Sequence, residues 1–227
     1  MALILQIETA TQVCSAALSL NGETIALKEL QANNIHAGSL TLFIQEVMAS
    51  AGYSYSDLDA IAVSKGPGSY TGLRIGVSTA KGLCFALDKP LIGIGTLGMM
   101  AKGFLKANPS YTGLICPMID ARRMEVFTSL FDNSVSTIEP VSAKIIDEQS
   151  FKDELSRSTI TFIGDGAEKC NAALSHPNAF FSAENFNSAG NMSELSFEAF
   201  SNQNFEDLAY FEPFYLKDFV LTTPKVK

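Results

Sequence analysis

Histidine is nearly absent from this chain. Its 227 residues hold two, His36 and His176, 140 positions apart, and neither HxxxH nor HExxH occurs. The four cysteines, Cys14, Cys84, Cys116 and Cys170, are equally dispersed and form no CxxC. Zinc and iron sites gather His and Cys in convergent sets, so the expectation is no metal site. Cys84 and Cys116 stand in apolar runs and read as buried thiols, which suits a reducing compartment. Basic clusters are missing too. Arg122-Arg123 is the sole adjacent pair, Lys217, Lys225 and Lys227 are sparse, the net charge is −8 and the pI about 4.8. Affinity for phosphate backbones comes largely from Lys and Arg, so a partner must supply the grip on any RNA. No apolar run approaches the roughly 20 residues of a membrane span; Ala2 to Leu5 is the N-terminal one. With no charged segment ahead of a longer apolar stretch, no signal peptide is expected, and the location expected is cytoplasmic. GxxxxGK[ST] and GxSxG are also absent, which removes a Walker loop and a nucleophile elbow.

What is present is organised around Gly66 to Leu87, GPGSYTGLRIGVSTAKGLCFAL. A Gly-Pro-Gly turn follows the apolar run Ala60 to Val63 and opens about five turns of helix. Gly66 and Gly68 allow φ > 0, Pro67 fixes its own φ, and Ser69 or Thr71 can cap. Leu73, Val77, Ala80, Cys84 and Leu87 share one face, while Ile75 and Phe85 lie elsewhere on the helix. A helix apolar nearly all round is buried on more than one side, either as a core helix or between the core and a partner. Its Gly-rich opening could receive an anion, but close packing of Gly72 and Gly76 is the favoured reading.

Upstream, Ala2 to Glu8 reads as a buried strand and Glu8 to Thr11 as a polar turn. Val13–Leu20 and Glu23–Leu30 are strands joined by Asn21-Gly22, a two-residue hairpin signal. A helix follows from about His36 to Ala51, with Leu40, Phe43, Ile44, Val47 and Met48 on its apolar face. Past the central helix come a strand Leu91–Ile94 and a helix that Thr96 can cap, running to about Ala107. Asn108-Pro109-Ser110 suggests a boundary, giving units 1–107 and 108–227, with the final residues able to pack back on the first unit. Leu114–Ile119, Glu125–Phe131 and Thr161–Ile163 read as strands, Gly166 to about Leu174 and 188–200 as helices, and 175–190 as loop. No repeat of 20–50 residues appears. Glu8, Asp120 and Asp165, each in a turn after a strand, are the acid/base candidates; turn carboxylates are more often caps. Arg122 and Arg123 beside Asp120 read as a local salt-bridge and turn device.

The motifs ILQIETAT, GPGSYTGLRIGVSTAKGL, PLIGIGTL, PMIDARRMEVF, FIGDGAEK and FYLK together resemble the TsaB (YeaZ) family of the tRNA threonylcarbamoyladenosine machinery. The resemblance covers most of the chain, and the long central block is its most specific part. It implies an α/β, actin-like ATPase (ASKHA, ribonuclease H-like) fold of two related subdomains. It also implies a non-catalytic relative of TsaD, the subunit that transfers threonylcarbamoyl to the adenosine beside the anticodon. TsaD-like proteins carry paired metal-binding histidines that this chain lacks. The implied partners are a TsaD-like catalytic subunit, a TsaE-like ATPase and tRNA reached through the complex, with a homodimer when the chain is alone. The implied pairing surface is built from the two N-domain helices, here through His36, Leu40, Phe43, Val47, Tyr70, Leu73, Arg74, Val77 and Lys81. No catalytic residue, metal or cofactor is required, and weak nucleotide binding is allowed. Its phosphate contacts would be Glu8, Thr9, Thr11, Gly66, Pro67, Gly68, Ser69, Thr71 and Gly72. Three positions depart from the family pattern. Glu8 replaces the usual Asp, Gly98 stands where relatives often have Glu, and Met124 where they often have Gly. The rival readings are an ATP-dependent small-molecule kinase of the same superfold and, behind it, a glycoprotein peptidase.

Overall fold

The computed structural model describes residues 1–32, 35–182 and 184–217; Lys225, Lys227 and the rest of 218–227 lie outside the described residues. Two five-stranded sheets carry the chain. The first is built from β1 (Leu3–Glu8), β2 (Val13–Leu20), β3 (Glu23–Gln31), α1 (His36–Ala51), β4 (Ala60–Gly66), α2 (Tyr70–Leu87), β5 (Leu91–Gly95) and α3 (Thr96–Ala107). The second comprises β6 (Leu114–Asp120), β7 (Glu125–Phe131), β8 (Thr137–Ile145), α4 (Lys152–Arg157), β9 (Ile160–Ile163) and β10 (Ala179–Ser182), and α5 (Ser193–Ser201) follows.

Their strand orders are β3-β2-β1-β4-β5 and β8-β7-β6-β9-β10. In each, three antiparallel strands lead into two parallel ones. One plan is therefore used twice without a legible sequence repeat, as an actin-like ATPase uses it. β1 is central and buried along its whole length, whereas the edge strand β3 is largely exposed. Asn21 and Gly22 both take positive φ (52° and 86°), the geometry that a two-residue hairpin loop requires.

The helices divide between the two faces of the first sheet. α1 and α2 pack Leu40, Phe43, Val47, Val77 and Ala80 on one face, with Leu5, Ile7, Ile61 and Val63 beneath them. On the other face α3 sits between the sheets. Met99, Met100 and Phe104 share one core with Ile4 and Ile92 of the first sheet and with Ile115, Ile119 and Ile163 of the second. The helix buried on two sides is thus α3. α2 keeps an exposed face at Thr71, Arg74, Ser78, Gly82 and Phe85, so of the two alternatives drawn from its apolar composition it is not the core helix. α5 and the short 3-10 turn Ala189–Met192 return to this shared core, and Phe211 enters the core under α1 and α2. The second sheet ends at Ser182, and the chain beyond it packs largely on the first.

Three elements were not legible in sequence. β8 carries Pro140 and a mixed exposure pattern, as an edge strand tolerates. β10 has four residues in an Asn- and Ser-rich stretch, and α4 only six. Conversely, the helix expected up to Leu174 is a 3-10 turn, Glu168–Cys170. Its bonds span three residues (Cys170 N to Ala167 O, 3.0 Å), bringing Ala167, Cys170 and Leu174 into the second-sheet core. Thr96 does not cap α3 but begins it after Gly95.

Two glycines of α2 make opposite demands. A Cβ on Gly72 would collide with the Thr9 carbonyl, whereas nothing lies within 4 Å of one on Gly82. Gly72→Ala should therefore cost about 1–3 kcal/mol through overpacking. Gly82→Ala should gain about 0.5–1 kcal/mol of helix propensity. Urea denaturation of the two variants checks the contrast.

Candidate functional site

The GPGSYTG stretch meets the Glu8–Thr11 turn directly. Ser69 caps α2, its hydroxyl accepting from the Gly72 amide at 3.3 Å, and its own amide donates to the Ala10 carbonyl at 2.6 Å. The Thr9 hydroxyl donates to the Gly72 carbonyl at 2.8 Å. A Cβ on Gly68 would strike Ala10, and one on Gly76 the Thr9 hydroxyl. Of the glycines in this stretch only Gly66 takes positive φ (113°); Gly68 is needed for close approach instead. The glycines thus make the packing contact that was the favoured reading.

Glu8 lies behind this contact, wholly buried. One carboxylate oxygen accepts from the Ala10 amide at 2.5 Å. The other and the Ser64 hydroxyl on the neighbouring strand are both buried and have no partner besides their weak mutual contact. Burial pushes Glu8 from 4.5 up to about 7, against the smaller pull of the Ser64 hydroxyl and the Ala10 amide.

Before the turn lies a cleft of about 760 Å³ between the two sheets' domains. Thr11, Gly68, Ser69, Thr71 and Gly72 form one wall, and Asp120, Arg122 and Asp165 the other. Of the residues expected to contact phosphate, these five face the cleft. Glu8 and Thr9 are sealed behind it, and Gly66 and Pro67 line a different hollow. The Asp165 carboxylate accepts from the Asp120 amide at 3.0 Å. Loss of water against the cleft wall and the nearby Asp120 charge raise its pKa, partly offset by that amide. For Asp120, burial also pushes upward, but Lys169 and the Arg122 amide outweigh it and hold the carboxyl below its ordinary range. Asp120 pairs with Lys169, not with the arginines. Arg122 and Arg123 do make the β6–β7 turn, as read, at φ 71° and 52°, which is costly for side chains with a Cβ. Lys169, which also donates to the Glu125 carbonyl at 2.7 Å, had no sequence signal because its partners lie more than 40 positions away.

The nine side chains expected to face a partner do not form an open surface. His36, Leu40, Phe43, Val47, Leu73 and Val77 are buried, and the His36 Nε2 is bonded to the Val13 carbonyl at 3.0 Å. Apolar residues at helical spacing mark a buried face, and here the face belongs to the chain's own core. Tyr70, Arg74 and Lys81 hold the C-terminal segment 205–217. Lys81 donates to the Ala209 and Phe211 carbonyls at 3.2 and 3.0 Å. Tyr215 packs on Tyr70 with ring centroids 4.7 Å apart and accepts from Arg74 at 3.3 Å. The same segment is bonded from the Phe214 amide to the Lys65 carbonyl at 2.6 Å, and Lys217 reaches Glu125 of β7. The large apolar side chains that α1 and α2 leave exposed are Leu42 (55 %) and Phe85 (84 %), with Gly38, Thr41, Gln45 and Glu46 also open on α1 and Ser78 and Gly82 on α2. The four cysteines are free and buried. Among the described residues no cluster of three or more His, Cys, Asp or Glu could hold a metal ion. No described helix is long and apolar enough to cross a membrane.

A family model described as TsaD, tRNA N6-adenosine threonylcarbamoyltransferase, matches residues 30–225. The chain is similar to the tRNA threonylcarbamoyladenosine biosynthesis protein TsaB of Escherichia coli (strain K12), 40% identical over 124 residues, which are 55% of this chain and 52% of the relative. It spans about half the length of the curated relatives it matches. Its fold is similar to YeaZ from Pseudomonas aeruginosa, with a TM-score of 0.84, 23% identity and coverage of 95% of this chain and 100% of that one. It is more distantly similar to the activator of the 2-hydroxyisocaproyl-CoA dehydratase from Clostridium difficile with bound ADPNP. There the TM-score is 0.53 at 10% identity, covering 89% of this chain and 97% of that one.

Because Glu8 binds its proton more tightly folded than unfolded, its contribution to stability is complete below pH 4.5. That contribution falls as pH rises to about 7 and is then flat. The span is on the order of 3 kcal/mol. Glu8→Gln should abolish this slope and be the more stable form at pH 8; chemical denaturation from pH 4 to 8 measures both.

Proposed function

This chain belongs to the TsaD family, in its TsaB (YeaZ) branch, and from that membership we propose that it is the accessory subunit of tRNA threonylcarbamoyladenosine formation. In this reading it binds and activates a TsaD-like catalytic subunit, performs no chemistry itself, and reaches tRNA only through the complex. A TsaE-like ATPase joins the same assembly in the cytoplasm, and two copies pair through the same helices when the catalytic subunit is absent.

The observation that carries the reading is the outward face of α1 and α2. Phe85 and Leu42 are large apolar side chains standing in solvent, and Gly38, Ser78 and Gly82 beside them let another backbone come close. Exposed aromatics in such a setting are the usual anchors of an interface. Two further facts support it. Each histidine is used locally, His36 on the Val13 carbonyl and His176 on the Asn178 amide. The net charge of −8 favours a protein partner over RNA. This surface uses the two helices that the resemblance implies but the opposite side of each from the apolar residues named for it.

The interdomain cleft favours a second reading, weak nucleotide binding with ATP-dependent kinase activity toward a small molecule. It has the volume and offers the Ser69 and Thr71 hydroxyls, but two carboxylates face any phosphate placed there. ATP turnover by the isolated chain would favour this reading.

Leu42→Glu and Phe85→Glu alter only exposed positions and should leave stability within about 0.5 kcal/mol of the parent. Each should weaken binding to the TsaD-like subunit by about 30-fold or more, the loss expected of a hot-spot residue. Threonylcarbamoyl incorporation into tRNA in a reconstituted mixture should fall in parallel. A well-folded Phe85→Glu that binds and supports incorporation normally would refute this placement.

A further inference from the structure

A second hollow, separate from the cleft and from the outward face of α1 and α2, has no part in the reading above. Its volume is about 440 Å³, within the roughly 300–1,000 Å³ of small-molecule sites. It lies where the parallel strands β4 and β5 end, at Gly66 and Gly95. Ligands of open α/β sheets collect beyond the carboxyl ends of their strands. The walls come from three separate parts of the chain. Leu97 of α3, Phe131 and Val141 of the second sheet and Leu195 of α5 give an apolar lining. Two opposite charges stand with them, Lys65 at the end of β4 and Glu198 on α5. Lys65 also touches Glu206 at 3.1 Å, with 39 % of its side chain still open. α3 begins here after Gly95 with no side-chain cap, so its first amides add donors beside Lys65. The space is real at the helix itself, because a Cβ on Gly98 would meet nothing within 4 Å.

An apolar lining with one cation and one anion at its edge matches one chemical class. We propose that this hollow binds a free apolar L-α-amino acid, its carboxylate toward Lys65 and the start of α3, its ammonium toward Glu198, and its side chain among Leu97, Phe131 and Leu195. Lys65 spends one ammonium N–H on Glu206 and keeps its others for a ligand carboxylate, while Glu198 makes no ion pair among the described residues and would take the ammonium.

The test is thermal denaturation of the full chain with L-leucine and L-phenylalanine, alongside isovalerate and isoamylamine as half-ligands. The expected result is a saturable rise of about 3–6 °C at ten times Kd for an amino acid and none for the half-ligands. Gly98→Leu fills the hollow at a position where helix propensity improves. It should melt no lower than the parent and lose the amino-acid response. Glu198→Gln should weaken the response about tenfold. No response to either amino acid, an equal response to a half-ligand, or an undiminished response in Gly98→Leu would overturn the proposal. None of these outcomes bears on the partner-binding reading, since Leu42 and Phe85 lie elsewhere.

Discussion

Everything around the cleft depends on one close approach, that of the Glu8–Thr11 turn to the first two turns of α2. The Thr9 hydroxyl and the Ala10 carbonyl bond to the helix start, and Gly68, Gly72 and Gly76 must lack side chains for those bonds to form. Once seated, α2 lies against β4 with Leu73, Val77 and Ala80 buried, and Thr11, Ser69 and Thr71 are brought into one wall. The same seating seals Glu8 away from water, with one oxygen left only a weak contact to the Ser64 hydroxyl. That burial is why its proton is held to near neutrality.

Two other devices keep the sheets together. α3 supplies a shared core, so neither sheet buries its inner face without the other. The segment 205–217 then runs outside α2. Phe211 anchors it in the first domain, and Lys217 reaches Glu125 in the second. It consumes Tyr70, Arg74 and Lys81, which would otherwise be the polar edge of α2. What it leaves open is the part of the helix around Ser78, Gly82 and Phe85, and that remainder shapes the partner surface proposed above.

The cleft carries an electrostatic balance of its own. Asp120 and Asp165 face it together, and Lys169 answers the first while Asp165 stays raised. Arg122 and the start of α2 stand in the same cleft, so both signs of charge face it. The second hollow has the opposite character, apolar with one charge of each sign.

Much of this was determined by local sequence. The Asn21-Gly22 hairpin, the limits of α1, the start of α2 and the buried β1 follow from turn chemistry and periodicity, which act within a few residues. The glycine packing was legible for the same reason: Gly72 and Gly76 lie one turn apart on one helix face. Periodicity identified which faces are apolar but not what covers them. Leu40, Phe43, Val47 and Val77 have the same spacing whether the cover is a sheet or another protein, and only the tertiary structure assigned them to the core. Which helix is covered on both sides within the chain was likewise not legible: it is α3, because the second sheet closes over it from more than ten residues away in sequence. Lys169 on Asp120, Lys217 on Glu125 and Tyr215 on Tyr70 join positions 49, 92 and 145 residues apart. No local pattern encodes such pairs; the chain's path through the two sheets decides them.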